Sequence, residues 1–274
     1  MNQHRMDGVT MNGEFAGNGS GIHRDPRGFA EVIAGFRSGA VFKRLAGAGL
    51  LGLCMLVSGC GGPFSALNPA GPSATAASWL WWGMFGYFTL VMLVVFALWF
   101  YAMRRDPGDV DQQQSQRLQN RWVIWGGLVL PGVSLAVVLA FGLPIGRAML
   151  PLPLEQGEPV RLNVMAQQWR WDVSYPDSDI VLEDRLVVPA GVPVDVHLNS
   201  ADVIHSFWVP RLAGKLDVIP GRTNVIRIQA DQPGTYRGHC AEFCGAGHAH
   251  MHFVVEALEP EAFQTWLTQE QADE

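Results

Sequence analysis

The pattern of apolar positions divides the chain into a half with long uncharged stretches and a half with short alternating runs. The uncharged stretches Trp79–Met103 and Trp122–Ile145 contain 25 and 24 residues. At a rise of about 1.5 Å per residue, each is long enough to cross a bilayer core of about 30 Å. The sequence therefore predicts two transmembrane spans at 79–103 and 122–145, within a hairpin that covers residues 61–150.

From about residue 160 the apolar residues recur with period two, which is typical of half-buried strands. The clearest example is 192–198, where three valines and a leucine alternate with Pro, Asp and His. Several such runs separated by turn residues predict an all-β sandwich or barrel over residues 152–260. A helix is expected at Pro260–Gln271. It begins at the end of the β-domain and continues into the C-terminal tail, residues 261–274. The other runs are Arg161–Val164, Ile180–Val188, Asn224–Ala230 and His252–Leu258.

The segment before the hairpin is typical of an export signal. Residues 1–40 are rich in glycine and lack apolar periodicity. We therefore expect them either to be disordered or to lie before the true translation start, with the start codon placed too early. In residues 41–60, two basic residues precede the uncharged stretch Leu45–Gly59 and then Cys60. Small residues directly before a cysteine resemble a bacterial lipobox, which predicts lipidation at Cys60. A third membrane helix with an incidental cysteine is the alternative.

The distribution of charge predicts the orientation. The loop between the spans holds four arginines, and the positive-inside rule places that loop in the cytoplasm. Residues 152–274 would then face outwards, and they carry 8 basic and 18 acidic residues, a net charge of −10. This balance argues against nucleic-acid binding, and it favours a basic soluble partner. The candidate contacts for that partner are Asp177, Asp179, Glu183, Asp184 and Asp202.

One loop contains a dense set of soft metal ligands. Cys240 and Cys244 are followed by His248 and Met251, and His205 lies upstream after a predicted strand. Thiolate, thioether and imidazole ligands together favour copper. A mononuclear blue-copper site uses one thiolate, whereas this loop offers two. Two thiolates can bridge two copper ions.

Other interpretations of these residues stay open. The two cysteines can form a disulfide in an oxidising compartment, or they can bind zinc with two histidines. Three further histidines in the loop, His239, His250 and His252, are expected to be surface residues.

The pattern Cys-x-Glu-x-Cys-Gly-x-x-His-x-x-Met, preceded by His205, resembles the binuclear copper A centre of cytochrome c oxidase subunit 2. The resemblance implies a cupredoxin-like Greek-key β-domain outside the membrane. It also implies that the two cysteines bridge the coppers. His205 and Met251 would then complete one copper, and His248 with the backbone carbonyl of Glu242 the other. The Glu242 side chain would bind a magnesium ion shared with subunit 1.

The segment Gln168–Trp171 resembles the family's aromatic stretch, in which the residue matching Trp169 receives the electron from cytochrome c. Alternation predicts Trp169 and Trp171 on one strand face, where both could instead be core residues. Arg170 replaces the tyrosine that is common in the family, and it adds a positive charge beside this patch.

The resemblance implies an electron-transfer subunit of a haem-copper oxidase in the bacterial plasma membrane, coupled to proton pumping. Its partners would be subunit 1, subunit 3, membrane lipid and a separate cytochrome c. No Cys-x-x-Cys-His motif is present, so no haem is expected in this chain. A subunit of this kind has no oxidase activity by itself.

Three alternatives are weighed against this interpretation. Quinol oxidase subunit 2 shares the architecture but lacks the copper ligands. Nitrous oxide reductase carries the copper motif on a longer soluble chain. A copper-delivery lipoprotein would bind one Cu(I) reversibly without transferring electrons.

Overall fold

The structure is a computed structural model that describes residues 61–106, 108, 111–176 and 178–272. Cys60, the proposed signal segment and residues 1–40 lie outside the described residues. Those expectations therefore stay predictions.

The first long helix, α1 (Pro72–Arg104), contains the whole first predicted span, 79–103, and begins almost two turns before it. Proline in its first turn suits a helix start, because proline has no N–H that needs a partner there. A second helical segment runs from Gln112 to Ala148, and both are long and apolar enough to cross a membrane. The side chains of Tyr87 and Ser134 join the two by a hydrogen bond of 2.6 Å. The described part of the chain thus contains the predicted hairpin.

The second helical segment has three parts: α2 (Gln112–Ile124), a π-helical turn (Trp125–Val129) and α3 (Leu130–Ala148). The N–H of Leu130 bonds the carbonyl of Trp125, five residues back. Pro131 follows directly, and it has no N–H to bond the preceding turn. The wide turn therefore directly precedes a proline that interrupts the regular hydrogen-bond pattern of the helix.

The β-domain consists of two five-stranded sheets, each mixed in direction. The first has the strand order β3-β2-β1-β5-β8 and the second β4-β10-β9-β6-β7. The pairs β1–β5 and β4–β10 are parallel and far apart in sequence, while the remaining pairs are antiparallel. This is the all-β sandwich that the period-two runs predict. The strands are β1 (Val160–Gln167), β2 (Arg170–Ser174), β3 (Val181–Glu183), β4 (Arg185–Pro189), β5 (Val194–Ser200), β6 (His205–Trp208), β7 (Lys215–Val218), β8 (Asn224–Ile228), β9 (Gly234–Cys240) and β10 (His252–Leu258).

One predicted run was wrong as a single strand. Ile180–Val188 is broken at Asp184, whose φ of 54° ends β3 and starts β4. The two short strands belong to different sheets, so this residue carries the chain from one sheet to the other. Its carboxylate accepts a hydrogen bond of 2.8 Å from the N–H of Trp171, which holds the crossing in place. A run of apolar residues does not reveal such a corner.

The core between the sheets is rich in aromatic residues. Trp171, Phe207 and Phe253 are each at most 2% exposed, and their ring centroids lie between 4.5 and 5.7 Å apart. Gly238 lies beneath the ring of Phe253, where a Cβ atom would come within 2.7 Å of Cε1. The imidazole of His205 lies above this cluster, 6.0 Å from the Trp171 ring. The loop that holds the candidate metal ligands therefore packs on a rigid core.

The segment that leads into α1 is bound to the β-domain by backbone hydrogen bonds. The N–H of Ala70 donates to the carbonyl of Arg211, and the N–H of Asp231 donates to the carbonyl of Ala70. Gly71 packs so closely that a Cβ atom would lie 2.8 Å from the carbonyl oxygen of Leu212. The tail forms the predicted helix, α4 (Pro260–Ala272), and buries Phe263.

Candidate metal centre

Three adjacent strands bring the soft ligands together. Cys240 is the last residue of β9, and the loop from it to Met251 leads directly into β10, the antiparallel neighbour. His205 is the first residue of β6, which pairs with β9 on the other side. It lies in a strand and not in the strand-end loop that the sequence suggested. His248 begins a short 3-10 turn within the loop.

The side chains of all five predicted ligands converge. The sulfurs of Cys240 and Cys244 are 3.8 Å apart, so the two cysteines form no disulfide. Nδ1 of His205 lies 3.9 Å from the first sulfur, and Nδ1 of His248 lies 3.6 Å from the second. The thioether of Met251 is 3.7 Å from the sulfur of Cys244.

A backbone group completes the set. The carbonyl oxygen of Glu242 lies 3.1 Å from the sulfur of Cys240, and it accepts a hydrogen bond from that thiol. The Glu242 side chain is exposed. Among the residues that the structure describes, it joins no group of metal-ligating side chains, so magnesium binding stays a prediction.

Burial isolates the cluster from water. Cys240 and Cys244 are each 3% exposed, while His205 and Met251 are fully buried. His248 is half-buried, and the ring of Phe243 lies 5.7 Å from it. Only the outer edge of the cluster therefore faces the surface.

The two thiols have very different affinities for a proton. Burial acts to raise the pKa of Cys240, but the contacts with His205 and with backbone groups of Glu242 and Ser206 outweigh it, and the pKa is lowered. The pKa of Cys244 is raised, because burial and the charge of Cys240 both disfavour a second thiolate. The two cysteines by themselves thus disfavour having both thiols ionised at once. Holding two thiolates requires positive charge from bound metal.

The donor set fits copper. A metal–sulfur bond of about 2.3 Å exceeds half of the distance between the two sulfurs, so one ion can contact both. A structural zinc site uses four ligands, whereas this cluster offers two thiols, two imidazoles, a thioether and a carbonyl. Five soft or borderline donors together with one carbonyl oxygen suit two copper ions better than one tetrahedral zinc ion.

A carboxylate that the sequence analysis did not assign to the site holds one ligand in place. Asp202 Oδ1 lies 2.9 Å from Nε2 of His205, the nitrogen that faces away from the cysteines. The imidazole pKa is raised: burial opposes its charge, but Cys240 and Asp202 outweigh burial. A carboxylate three residues before a candidate ligand is a signal that the sequence offered.

Trp169 and Trp171 do not share a strand face, which corrects the prediction from alternation. Trp169 precedes β2 and is 42% exposed, whereas Trp171 is fully buried in the core. The indole of Trp169 lies against Gly245 and Gly247 of the ligand loop. The neighbouring Gln168 donates a hydrogen bond of 2.7 Å to the carbonyl of Cys244.

Arg170 is not a free positive charge. Its guanidinium lies 3.1 Å from the carboxylate of Asp172 and 3.7 Å from that of Glu183. The local charge beside Trp169 is therefore largely balanced. The surface histidines differ in exposure: His250 and His252 are exposed, and His239 is half-buried between the rings of Phe64 and Trp208.

Comparison with known proteins gives this architecture a family. The family model for the periplasmic domain of cytochrome c oxidase subunit II matches residues 178–258. Quinol oxidase subunit 2 of Bacillus cereus is 32% identical over 240 residues, which cover 84% of this chain and 81% of that protein. The chain belongs to the cytochrome c oxidase subunit II family.

Cytochrome c oxidase subunit 2 of Alkalihalophilus pseudofirmus is 35% identical over 227 residues, 78% of this chain. The match spans 65% of that protein, just under two thirds of its length. The solved periplasmic domain of subunit II of cytochrome oxidase from Bradyrhizobium japonicum is 28% identical, with a TM-score of 0.40, and covers 42% of this chain and 96% of that one. The family thus includes subunits of both cytochrome c and quinol oxidases.

Proposed function

We propose that the chain is the electron-transfer subunit of a haem-copper cytochrome c oxidase. It takes electrons from reduced cytochrome c at a binuclear copper A centre and passes them to haem in subunit 1. There oxygen is reduced, with proton pumping. The chain would lie in the bacterial plasma membrane with its β-domain outside, bound to subunit 1, with subunit 3 as a further partner.

The convergence of six donors, two of which are buried thiols, carries the proposal. Cys240 and Cys244 would bridge the metals, His205 and Met251 would complete one copper, and His248 with the carbonyl of Glu242 the other. When bound, the copper pair supplies a one-electron carrier whose charge is shared between two metals. The protein's own contribution is a dry, rigid ligand cage on three neighbouring strands.

Quinol oxidation is the second candidate, because relatives with that name are 31–32% identical to the chain. The presence of both thiols, two imidazoles and a thioether at contact distance favours cytochrome c. A subunit that serves a quinol oxidase has no use for this ligand set.

The donor is tested with the purified oxidase complex. Oxygen uptake is measured with reduced cytochrome c and, separately, with a quinol, for the wild type, Cys244→Ser and His250→Gln. We expect the wild type and His250→Gln to use cytochrome c, because His250 is an exposed imidazole of the same loop and is not one of the candidate ligands. We expect Cys244→Ser to lose this activity while its haem spectrum is unchanged. Cytochrome c oxidation that survives in Cys244→Ser, or a wild type that uses only quinol, would contradict the proposal.

A further inference from the structure

The indole of Trp169 rests on the backbone of the ligand loop with no side chain between them. A Cβ atom built on Gly247 would overlap the ring: it would contact Cδ2 and lie 2.6 Å from Cγ and 2.9 Å from Cε3. Real Cβ atoms do not approach other atoms so closely, so the ring occupies the space of the missing side chain. Gly245 lies under the other edge of the ring, where an added Cβ atom would be 3.3 Å from Cζ2.

The two glycines are required for different reasons. Gly245 has a φ of 121°, which residues with a side chain rarely adopt, so its backbone alone requires glycine. Gly247 has a φ of −89° and a ψ of 3°, a conformation that other residues can adopt. The three atoms nearest to a Cβ at Gly247 all belong to the indole of Trp169, so this ring excludes a side chain there.

The segment that carries Trp169 is tied to the ligand loop and to the loop before β6. The side-chain amide of Gln168 donates to the carbonyl of Cys244 at 2.7 Å, and its backbone N–H donates to Oδ2 of Asp202 at 2.7 Å. Asp202 in turn bonds His205. The indole is thus pressed onto the loop from one side and is 42% exposed on the other.

We propose that Gly247 is a positioning residue for electron input, because its missing side chain lets the indole of Trp169 lie directly on the copper-ligand loop. This inference rests on the proposed function and on Trp169 as the point of electron entry, the role that the family resemblance implies for it. In the step it serves, the cytochrome haem is oxidised by one electron and the copper pair is reduced by one. Tunnelling rates fall steeply with distance, so lifting the ring from the loop slows this step.

The test uses the purified oxidase complex with Gly247→Ala, Trp169→Ala and the double variant. Gly214→Ala is the matched control, because Gly214 lies on the β-domain with no atom within 4 Å of a built Cβ. The readouts are the near-infrared absorbance of the copper site, the rate of its reduction by cytochrome c, and the rate of onward transfer to haem. We expect Gly247→Ala to slow reduction by cytochrome c several-fold, with the absorbance and the onward rate unchanged.

In the Trp169→Ala background, where the ring is absent, adding Gly247→Ala should cause no further loss. An unchanged reduction rate in Gly247→Ala overturns the inference, and so does an equal loss in both backgrounds. If Gly247→Ala alters the absorbance, recovery in the double variant supports the inference and persistence overturns it. A wild-type complex that lacks the near-infrared band or is not reduced by cytochrome c would instead refute the proposed function.

Discussion

At the scale of residues, the ligand cage depends on a few hydrogen bonds outside the ligands themselves. Asp202 accepts from the backbone N–H groups of Gln168 and Val203 at 2.7 and 2.6 Å while it bonds His205. Burial opposes the charge of this carboxylate, but these bonds outweigh it and lower the pKa of Asp202. One carboxylate therefore connects the Trp169 segment to a candidate copper ligand.

Asp202→Asn is predicted to weaken metal binding without unfolding the domain. The amide keeps the size of the side chain but loses the charge that orients the imidazole of His205. Loss of such an outer partner costs about 10- to 100-fold in metal affinity. The measurement is copper retained per protein in competition with a chelator, with thermal unfolding as the control for folding. Equal retention in the variant and the wild type would refute this role.

Sequence alone could predict the ligand residues because their types and spacing are specific for soft-metal chemistry. The spacing of three residues between Asp202 and His205 was a signal for the role of Asp202. The role of Gln168 could not be predicted, because its partner Cys244 lies 76 positions away and the contact depends on the meeting of two loops. Alternation predicted that Trp169 and Trp171 share a strand face, because the apolar pattern does not show that β2 begins only at Arg170.

At the scale of elements, the corner at Asp184 joins the two sheets. Its positive φ is uncommon for a residue with a side chain, and aspartate and asparagine tolerate it best. Its N–H also donates to the carbonyl of Trp171, so backbone and side chain together fasten β2 to the corner. The short strands β3 and β4 can therefore belong to different sheets.

Asp184→Asn is predicted to stabilise the protein more at pH 7 than at pH 4. The pKa of Asp184 is raised, first by burial and then by Glu183 and Asp172, which together outweigh the bond from Trp171. The folded protein thus takes up this proton at a higher pH than the unfolded chain, whose carboxyl has a pKa of about 3.9. The cost of the charge is present at neutral pH and is relieved as the pH falls through the folded pKa.

The measurement is the midpoint of chemical unfolding at both pH values for the wild type, Asp184→Asn and Asp184→Ala. Alanine removes the acceptor of the Trp171 N–H and fits the positive φ poorly, so it should destabilise by about 1–3 kcal/mol. If Asp184→Asn gained more stability over the wild type at pH 4 than at pH 7, the account would be contradicted.

The strongest period-two runs became strands because their residues are buried on one face, as the alternating burial of β1, β5 and β10 shows. No predicted run corresponds to the short strands β6, β7 and β9, since four to seven residues with mixed composition give little periodic signal. They form through pairing with neighbours that the sequence does not identify. Two of them, β6 and β9, hold metal ligands.

At the scale of the whole molecule, charge is unevenly distributed along the chain. The β-domain and tail carry a net charge of −10, whereas residues 1–151 carry 11 basic and 7 acidic residues. An acidic outer domain attracts a basic cytochrome over distances beyond direct contact. Two of the acidic residues suggested for docking by composition, Asp184 and Asp202, instead hold backbone N–H groups of the fold.

Turnover of the oxidase complex with cytochrome c is therefore predicted to fall as ionic strength rises through about 0.1 M, where the Debye length is about 10 Å. Asp179→Asn and Glu183→Gln test the two other candidates that the structure describes, both of which are exposed, and each should weaken the salt dependence. Asp177 lies outside the described residues. Steady-state oxygen uptake at several salt concentrations measures the effect. A response to salt that is flat in the wild type would exclude electrostatic docking, although it would leave the metal centre unaffected.

The central claim, that Cys240 and Cys244 jointly hold two coppers that share one electron, is tested most directly by electron paramagnetic resonance. The spectrum is taken of the oxidised, copper-loaded chain and of Cys240→Ser and Cys244→Ser. The account predicts a seven-line hyperfine pattern from two equivalent copper nuclei in the wild type, and its loss in both variants. A four-line spectrum of a single copper, a silent wild type, or a seven-line pattern that survives either substitution would contradict it.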